Sequence, residues 1–466
     1  MNKRFVAFLL LGLIFVGAAE WELQERILKP VRKLDRFWVD FCIGNAGNRV
    51  GDPSITMVRI PDDYESVSVG LGENATGENQ ELTRLDFGTF LFAIGKMSPK
   101  AVSFLPTPQF AEKSVLNQTS LYPLKDSVLQ LPRMTLGTLV SNEGKPATPA
   151  QNLSYPALQV TGDASQLPEI AKTEIAVDPA FLANGDPAFV PGGDFSPIGE
   201  VWPRIQLIAR QGDKVVPGFV LLSVAKQAGI GVDQISVDLE SKRPMIQVGT
   251  LYEIPVSADG SMTLPSHGGL KHSMYEVTTD ENGKEKRSYN FASLTVGDVA
   301  LAAHKSDTLA TTLVEEFSGK FESLSRNLVL LGFDRTSDRT IPTANEEWLS
   351  PMTATARAIA TIQSGRHTER WELPIRAAVY GVIFLLGLIL LGFRTRSTFL
   401  VLLLGVAAVV AMVLVFRQTL TWTPPLAIVG LFALMFIVSL FGRGSKKAVE
   451  EKEEVTEKQI EATEAE

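Results

Sequence analysis

Cysteine is almost missing from this chain: Cys42 is the only one among 466 residues. One thiol excludes a disulfide framework and a cysteine-rich zinc site. Histidine is scarce as well, and His267, His272, His304 and His367 show no ligand spacing. Basic residues are not in excess, with 44 Lys and Arg against 52 Asp and Glu, so a net charge of −8 leaves no footprint for nucleic acid. The 37 glycines fall far short of one residue in three, which excludes a collagen-like chain. No EF-hand loop occurs, and Gly72-Glu-Asn-Ala-Thr-Gly77-Glu has P-loop spacing without the lysine that would hold a phosphate. Ser223-Val-Ala-Lys226 matches S-x-x-K, but no K-T-G follows and the stretch reads as an amphipathic helix. With no catalytic constellation, the chain reads as a non-enzyme without cofactor or metal.

What the chain does have is apolar sequence concentrated near its ends. Mean hydropathy is +0.12 although 21% of residues are charged. Four segments without a charge carry the excess: Phe5–Ala19, Ala377–Phe393, Ser397–Phe416 and Leu426–Phe441. With uncharged flanks each approaches the roughly 20 residues needed to cross a hydrocarbon core. The last three read as transmembrane helices. The first reads as a fourth, or as a signal peptide with Gly17 and Ala19 at the cleavage position.

Two markers give the orientation. If the helices alternate, Lys3/Arg4, Arg394/Arg396 and Arg443/Lys446/Lys447 share one side, which the positive-inside rule makes cytoplasmic. Trp21, Trp371 and Trp422 then share the opposite interface, where indoles settle. The expected division is residues 1–20 as first helix or signal, 21–372 as an exported domain, 373–442 as three helices, and 443–466 as a charged cytoplasmic tail. The first 19 residues carry +2, residues 372–442 carry +3 and the tail −3, leaving −10 for the exported part.

The exported part predicts an α/β domain. Ser54–Ile60 and Ala101–Leu105 read as strands flanking a helix over Leu82–Ile94, a βαβ unit that implies a partly parallel sheet. Residues 141–200 are rich in Pro, Gly, Ser, Asn and Asp and read as long loops. Hairpins are expected for Tyr252–Val256 with Ser261–Leu264 and for Tyr275–Thr279 with Glu285–Phe291, each around a Gly-containing turn. Pro217–Ala228, Val296–Ala303 and Met352–Gln363 read as helices, and Asn327–Leu331 as a buried strand.

This layout resembles the type-two CHASE domains (cyclase/histidine-kinase-associated sensory extracellular), in which one membrane helix, an exported domain and three further helices follow in order. Leu324–Gly365 is similar to the closing pattern of that family, with Gly332, Asp338, Pro342 and Gly365 at matching positions. Pro217–Gly229, Ile254–Pro265 and Met57–Asp63 resemble other family segments, and Arg84 stands where the family has Pro-Arg. The chain departs from the pattern at Gln80–Thr83, where a Trp-Pro-Trp is missing, and at Leu105/Pro106 in place of a second-strand Asp.

The resemblance implies an extracytoplasmic sensor in a bacterial inner membrane. Such a protein binds a small ligand or envelope partner and signals through its helices to a separate cytoplasmic partner. Its contacts would be the lipid bilayer, that ligand and that partner, without nucleic acid. An envelope assembly protein that kept the fold and lost sensing is the alternative. Asp62 and Asp63 after one strand, Arg84 at a helix start and Asp338 after another strand are the expected ligand-binding group, because open α/β sheets bind ligands beyond the carboxyl ends of their strands. Arg84 paired with one of these three carboxylates to order the sheet edge is the competing reading of the same residues.

Overall fold

The computed structural model describes residues 3–25, 30–31, 34–35, 37–38, 41–42, 54–61, 82–105, 110, 118–141, 153–173, 177–191, 204–241, 243–263, 275–279, 285–289, 292–303, 327–333, 341–342, 348–365, 367, 369–392, 397–419 and 421–440. The chain divides into two compact units, residues 48–367 and a second made of residues 1–47 with 368–466.

The 48–367 unit is built on a largely parallel sheet. Alternation decides its faces: in β1 (Ile55–Ile60) and β17 (Leu328–Phe333), Ile55, Met57, Leu328 and Leu330 enter one buried cluster, while Val58, Ile60, Val329 and Leu331 enter another. A strand buried on both faces should be apolar throughout: β17 is, whereas β1 keeps Thr56 and Arg59 among its apolar residues. β1 pairs in parallel with β16 (Ala292–Thr295) and β17, and β17 pairs in parallel with β2 (Ala101–Leu105). Beyond β2 lie β3 (Met134–Ser141) and β6 (Gly185–Pro191), both parallel, with short β5 (Lys172–Thr173) running antiparallel to the end of β3.

One face is covered by α2 (Arg84–Lys96), α3 (Leu121–Leu129), α4 (Pro179–Leu182) and α6 (Val296–Ala303). The other face meets α5 (Phe219–Ala228) and α7 (Pro351–Ser364). Behind those helices a second sheet, in the order β12 (Tyr252–Pro255), β11 (Met245–Val248), β10 (Ile235–Asp238) and β4 (Gln159–Thr161), adds Ile235, Val237, Ile246, Val248 and Ile254 to the same core. Four further pairs are described: β7 (Arg204–Gln206) with β13 (Ser261–Thr263), β8 (Ile208–Gln211) with β9 (Lys214–Pro217), β14 (Tyr275–Thr279) with β15 (Glu285–Tyr289), and the short pair Ile341–Pro342 with Trp348–Leu349.

Several expectations hold and three change. The βαβ unit is present, but β17 lies between β1 and β2, so the two strands share a sheet without touching. The second hairpin forms as expected. The first does not: its turn exists, with Gly260 at φ +75° and Ser257 N bonded to Ser261 O at 2.9 Å, yet β12 pairs with β11 and β13 with β7. The supposed loop region 141–200 holds β6, paired to β3 over seven residues. Its prolines, Pro187 and Pro191, are tolerated because β6 has a ladder only with β3 and a single bridge, Phe189 to Gly218, on its other side, so a missing N–H can face away from the ladder. The helix expected over Pro217–Ala228 begins at Phe219, because Pro217 ends β9.

The other unit is helical. α1 (Lys3–Glu25) runs on through Trp21, and α8 (Leu373–Gly392), α9 (Ser397–Thr419) and α10 (Pro425–Leu440) follow late in the chain. Four transmembrane helices were expected; two, α8 over Leu373–Leu391 and α9 over Thr398–Thr419, are long and apolar enough to cross a membrane. The apolar parts of α1 and α10, Phe5–Trp21 and Pro425–Leu440, are shorter. Only 28% and 17% of the two long spans is buried, so their large side chains face outward. The helices alternate in direction. Phe8 packs on Phe384 with ring centroids 5.5 Å apart, while Glu20, twelve residues later in α1, bonds to Arg376 and Tyr380, earlier in α8. Ser439 near the end of α10 bonds to Thr398 near the start of α9, at 3.2 Å. Backbone pairing of Glu369–Arg370 with Thr421–Trp422 places Trp371 and Trp422 at one end of this unit.

Candidate functional site

Because β1, β17 and β2 are parallel and in register, Ile60, Phe333 and Leu105 end at one edge of the sheet. Asp62, Asp63 and Asp338 lie outside the described residues. Arg84 lies within them, at the first position of α2. That helix is started by a reciprocal cap: Thr83 Oγ1 accepts from Asp86 N, and the buried Asp86 carboxylate accepts from Thr83 N at 2.7 Å.

The cap aims Arg84 at a partner far away in sequence. Its Nε and Nη2 donate to Asp178 Oδ2 at 3.1 and 2.5 Å, and both side chains are buried. Asp178 Oδ1 meanwhile accepts from Ala180 N at 2.9 Å and caps α4, whose first residue is Pro179. The guanidinium also lies 5.4 Å from the centre of the Phe110 ring. Phe110 belongs to an aromatic cluster centred on Phe87, which meets Phe104, Phe181 and Phe333 at centroid distances of 5.2, 6.5 and 6.5 Å. Arg84 therefore fastens α2 to α4 over an aromatic floor. Asp178 was not singled out from sequence, although Asp178-Pro179 is a helix-start signal.

Ser223 and Lys226 do not form a nucleophile pair. Ser223 Oγ donates to Phe219 O at 2.7 Å along its own helix, and Lys226 Nζ bonds to Met134 O at 2.9 Å and to the Asp186 carboxylate. Arg133 joins the same carboxylate through Nε at 2.7 Å. Burial works against both charges here. At Asp186 the two cationic donors outweigh it and hold the carboxyl below its usual range, whereas at Lys226 burial prevails and pulls the ammonium down. The cluster sits where β3 and β6 begin, so it clamps α5 to the opposite edge of the sheet.

A groove of about 670 Å³ lies on the outer face of the second sheet. Gln159, Thr161, Ser236, Asp238, Arg243 and Gln247 line it. It follows from alternation: Ile235 and Val237 turn inward, so Ser236 and Asp238 turn outward. The pattern Ile-Ser-Val-Asp carried this signal in the sequence. Among the described residues, no group of three His, Cys, Asp or Glu could hold a metal ion. Burial pushes the Cys42 thiol up to about 12, which keeps it protonated and unreactive at neutral pH. The chain matches no known family model, and no curated protein or solved structure is significantly similar to it.

Proposed function

We propose that this protein is a membrane-embedded, sensor-like receptor of a bacterial inner membrane. Its α/β unit lies outside the cytoplasm and binds a small ligand or an envelope partner. All four apolar helices cross the bilayer, and a conformational change passes through them to a separate cytoplasmic partner. The observation that carries this reading is the division of the chain, with an α/β unit of residues 48–367 set between α1 and the three late apolar helices. The large outward side chains of α8 and α9 support the membrane part, since such a surface is stable in hydrocarbon and adhesive in water. The groove on the second sheet supports the binding part, because it gathers convergent polar groups on a rigid scaffold. Its resemblance to the type-two CHASE pattern at Leu324–Gly365 supports the sensory part.

An envelope assembly protein is the second reading, favoured by Arg84. Its guanidinium is already engaged with Asp178 beside the sheet edge where ligands usually bind. Thermal shifts of the full chain in detergent against sugars, amino acids, peptides and cell-wall fragments test the choice, with Ser236→Ala/Gln247→Ala as control. A shift that this control removes supports sensing. No shift, together with no cytoplasmic protein captured by cross-linking in cells, rejects sensing.

A further inference from the structure

Three polar side chains meet inside the helical unit, where the surrounding sequence is apolar. Arg376 Nη2 donates to Glu20 Oε2 at 2.7 Å, and Tyr380 Oη donates to Glu20 Oε1 at 2.7 Å. Arg376 Nη1 reaches back to Trp371 O at 2.9 Å. Arg376 and Tyr380 are each 5% exposed, so water does not replace these bonds. Glu20 is the one acidic residue in the first 21, and it falls at the position facing the Arg and Tyr of α8. A lone charge among apolar helices is costly, and a matched pair with each oxygen satisfied is the arrangement that tolerates it.

Below this point α1 is held by shape. A methyl group added to Gly12 would come within 2.6 Å of the Phe384 ring, and one added to Gly387 or Gly430 would collide with Phe8 or Phe15. Glycine opposite phenylalanine in three places fits α1 closely against α8 and α10, the kind of small-residue contact that packs helices in lipid. At the polar end, Trp371 N donates to Trp422 O at 2.7 Å and Trp371 Nε1 to Thr421 Oγ1 at 2.9 Å. The backbone just before α8 is thereby tied to the connection between α9 and α10.

We propose that Glu20, Arg376 and Tyr380 are a polar clasp that keeps α1 as a permanent member of the bundle and makes α1 and α8 move together. The segment Glu369–Trp371, through which the chain leaves the α/β unit, is bonded to the clasp through Trp371 O, so a pull on that segment reaches α1 as well as α8. This rests on the membrane reading above. α1 is one continuous helix through Gly17–Ala19 to Glu25, so cleavage after Ala19 would remove the part of α1 that packs on Phe384.

The test uses the full chain in its native membrane with Cys42→Ser, Phe8→Cys and Phe384→Cys, an N-terminal tag, and a protease site placed within residues 192–200. Oxidation joins α1 to α8, so the cut chain stays in one band only where the helices are together. Glu20→Arg and Arg376→Glu alone should each lower the joined fraction roughly tenfold, and the two combined should return it to within about twofold, because the exchanged charges pair again. Tyr380→Phe, which leaves the ion pair in place, should lower it about twofold or less. Should a single variant fail to accumulate, recovery of its abundance in the double variant is the same result. Single variants that join as well as the parent, a double variant no better than the singles, or loss of the tag by cleavage after Ala19 overturns the clasp. A carbonate wash reads the other premise: release of the protein overturns the membrane reading itself, whereas retained protein with uncoupled variants overturns only the clasp.

Discussion

In the α/β unit, four consecutive residues from Leu328 to Leu331 are fully buried, whereas in the helical unit Leu385, Phe399 and Val406 leave 61, 70 and 60% of their surface open. The same residue types are turned inward in one region and outward in the other. Polar groups show the reverse. The α/β unit presents Ser236, Asp238 and Gln247 on its outer sheet face, and the helical unit hides Glu20, Arg376 and Tyr380 among helices. Among the described residues, each region also encloses a buried Arg–carboxylate pair, Arg84–Asp178 and Arg376–Glu20. The first is braced by a helix cap and an aromatic ring, the second by a phenol and a backbone carbonyl. Apolar surface is thus enclosed in one region and displayed in the other, and positive mean hydropathy is the average of the two.

The largest effect that would break this comparison is expected at the buried pair of the α/β unit. Arg84→Met leaves Asp178 charged and enclosed, and should cost about 3–5 kcal/mol. Arg84→Met/Asp178→Asn, which removes both charges and keeps a capping oxygen, should recover most of that loss. Urea unfolding of the full chain in detergent, followed by hydrogen exchange at β17 and α2, measures both. A single variant as stable as the parent would mean that the pair is not sealed from water.

The next effect compares like with like. Leu330→Ala opens a cavity in a fully buried strand and should cost about 2–5 kcal/mol. Leu402→Ala, at a site 54% exposed on α9, should cost under about 1 kcal/mol in detergent, because the deleted atoms leave an apolar medium rather than a packed core. Equal costs would show that α9 is buried in an assembly instead of facing lipid.

Much of the comparison was legible in the residues. Apolar runs without a charge marked the helices, and short apolar runs marked β1, β2 and β17, because both signals depend on each segment alone. What needed the fold was every choice of partner. The turn at Ala258–Gly260 was read correctly, yet its flanking strands pair with β7 and β11, since inter-strand bonding is settled by which edge is free. β6 escaped notice because its prolines resemble loop chemistry, and only its place at the sheet edge makes them acceptable. Arg84 was singled out from its position at a helix start, but its carboxylate partner lies 94 residues on. Local pattern names the element and the residue; long-range packing names the contact.

The last predicted effect lies at the last residue of the α/β unit, His367. Burial pushes its imidazole down to about 4 from an ordinary 6.5, and both ring nitrogens are shut away from water without a hydrogen-bond partner. As pH falls through about 6.5 the unfolded chain takes up a proton that the folded chain refuses until about 4. Stability contributed by the neutral ring is therefore full above pH 6.5 and lost progressively toward pH 4. Between pH 7 and pH 5 the loss should be about 2 kcal/mol. His367→Leu keeps the bulk, removes the titration and should flatten that part of the pH–stability profile. A helical unit lacking such a group has no reason to follow the same slope, so exchange at α8 and α9 should stay level while exchange at α7 quickens. If α8 and α9 quicken in step with α7, the two regions open as one cooperative body and the division between them is not thermodynamic.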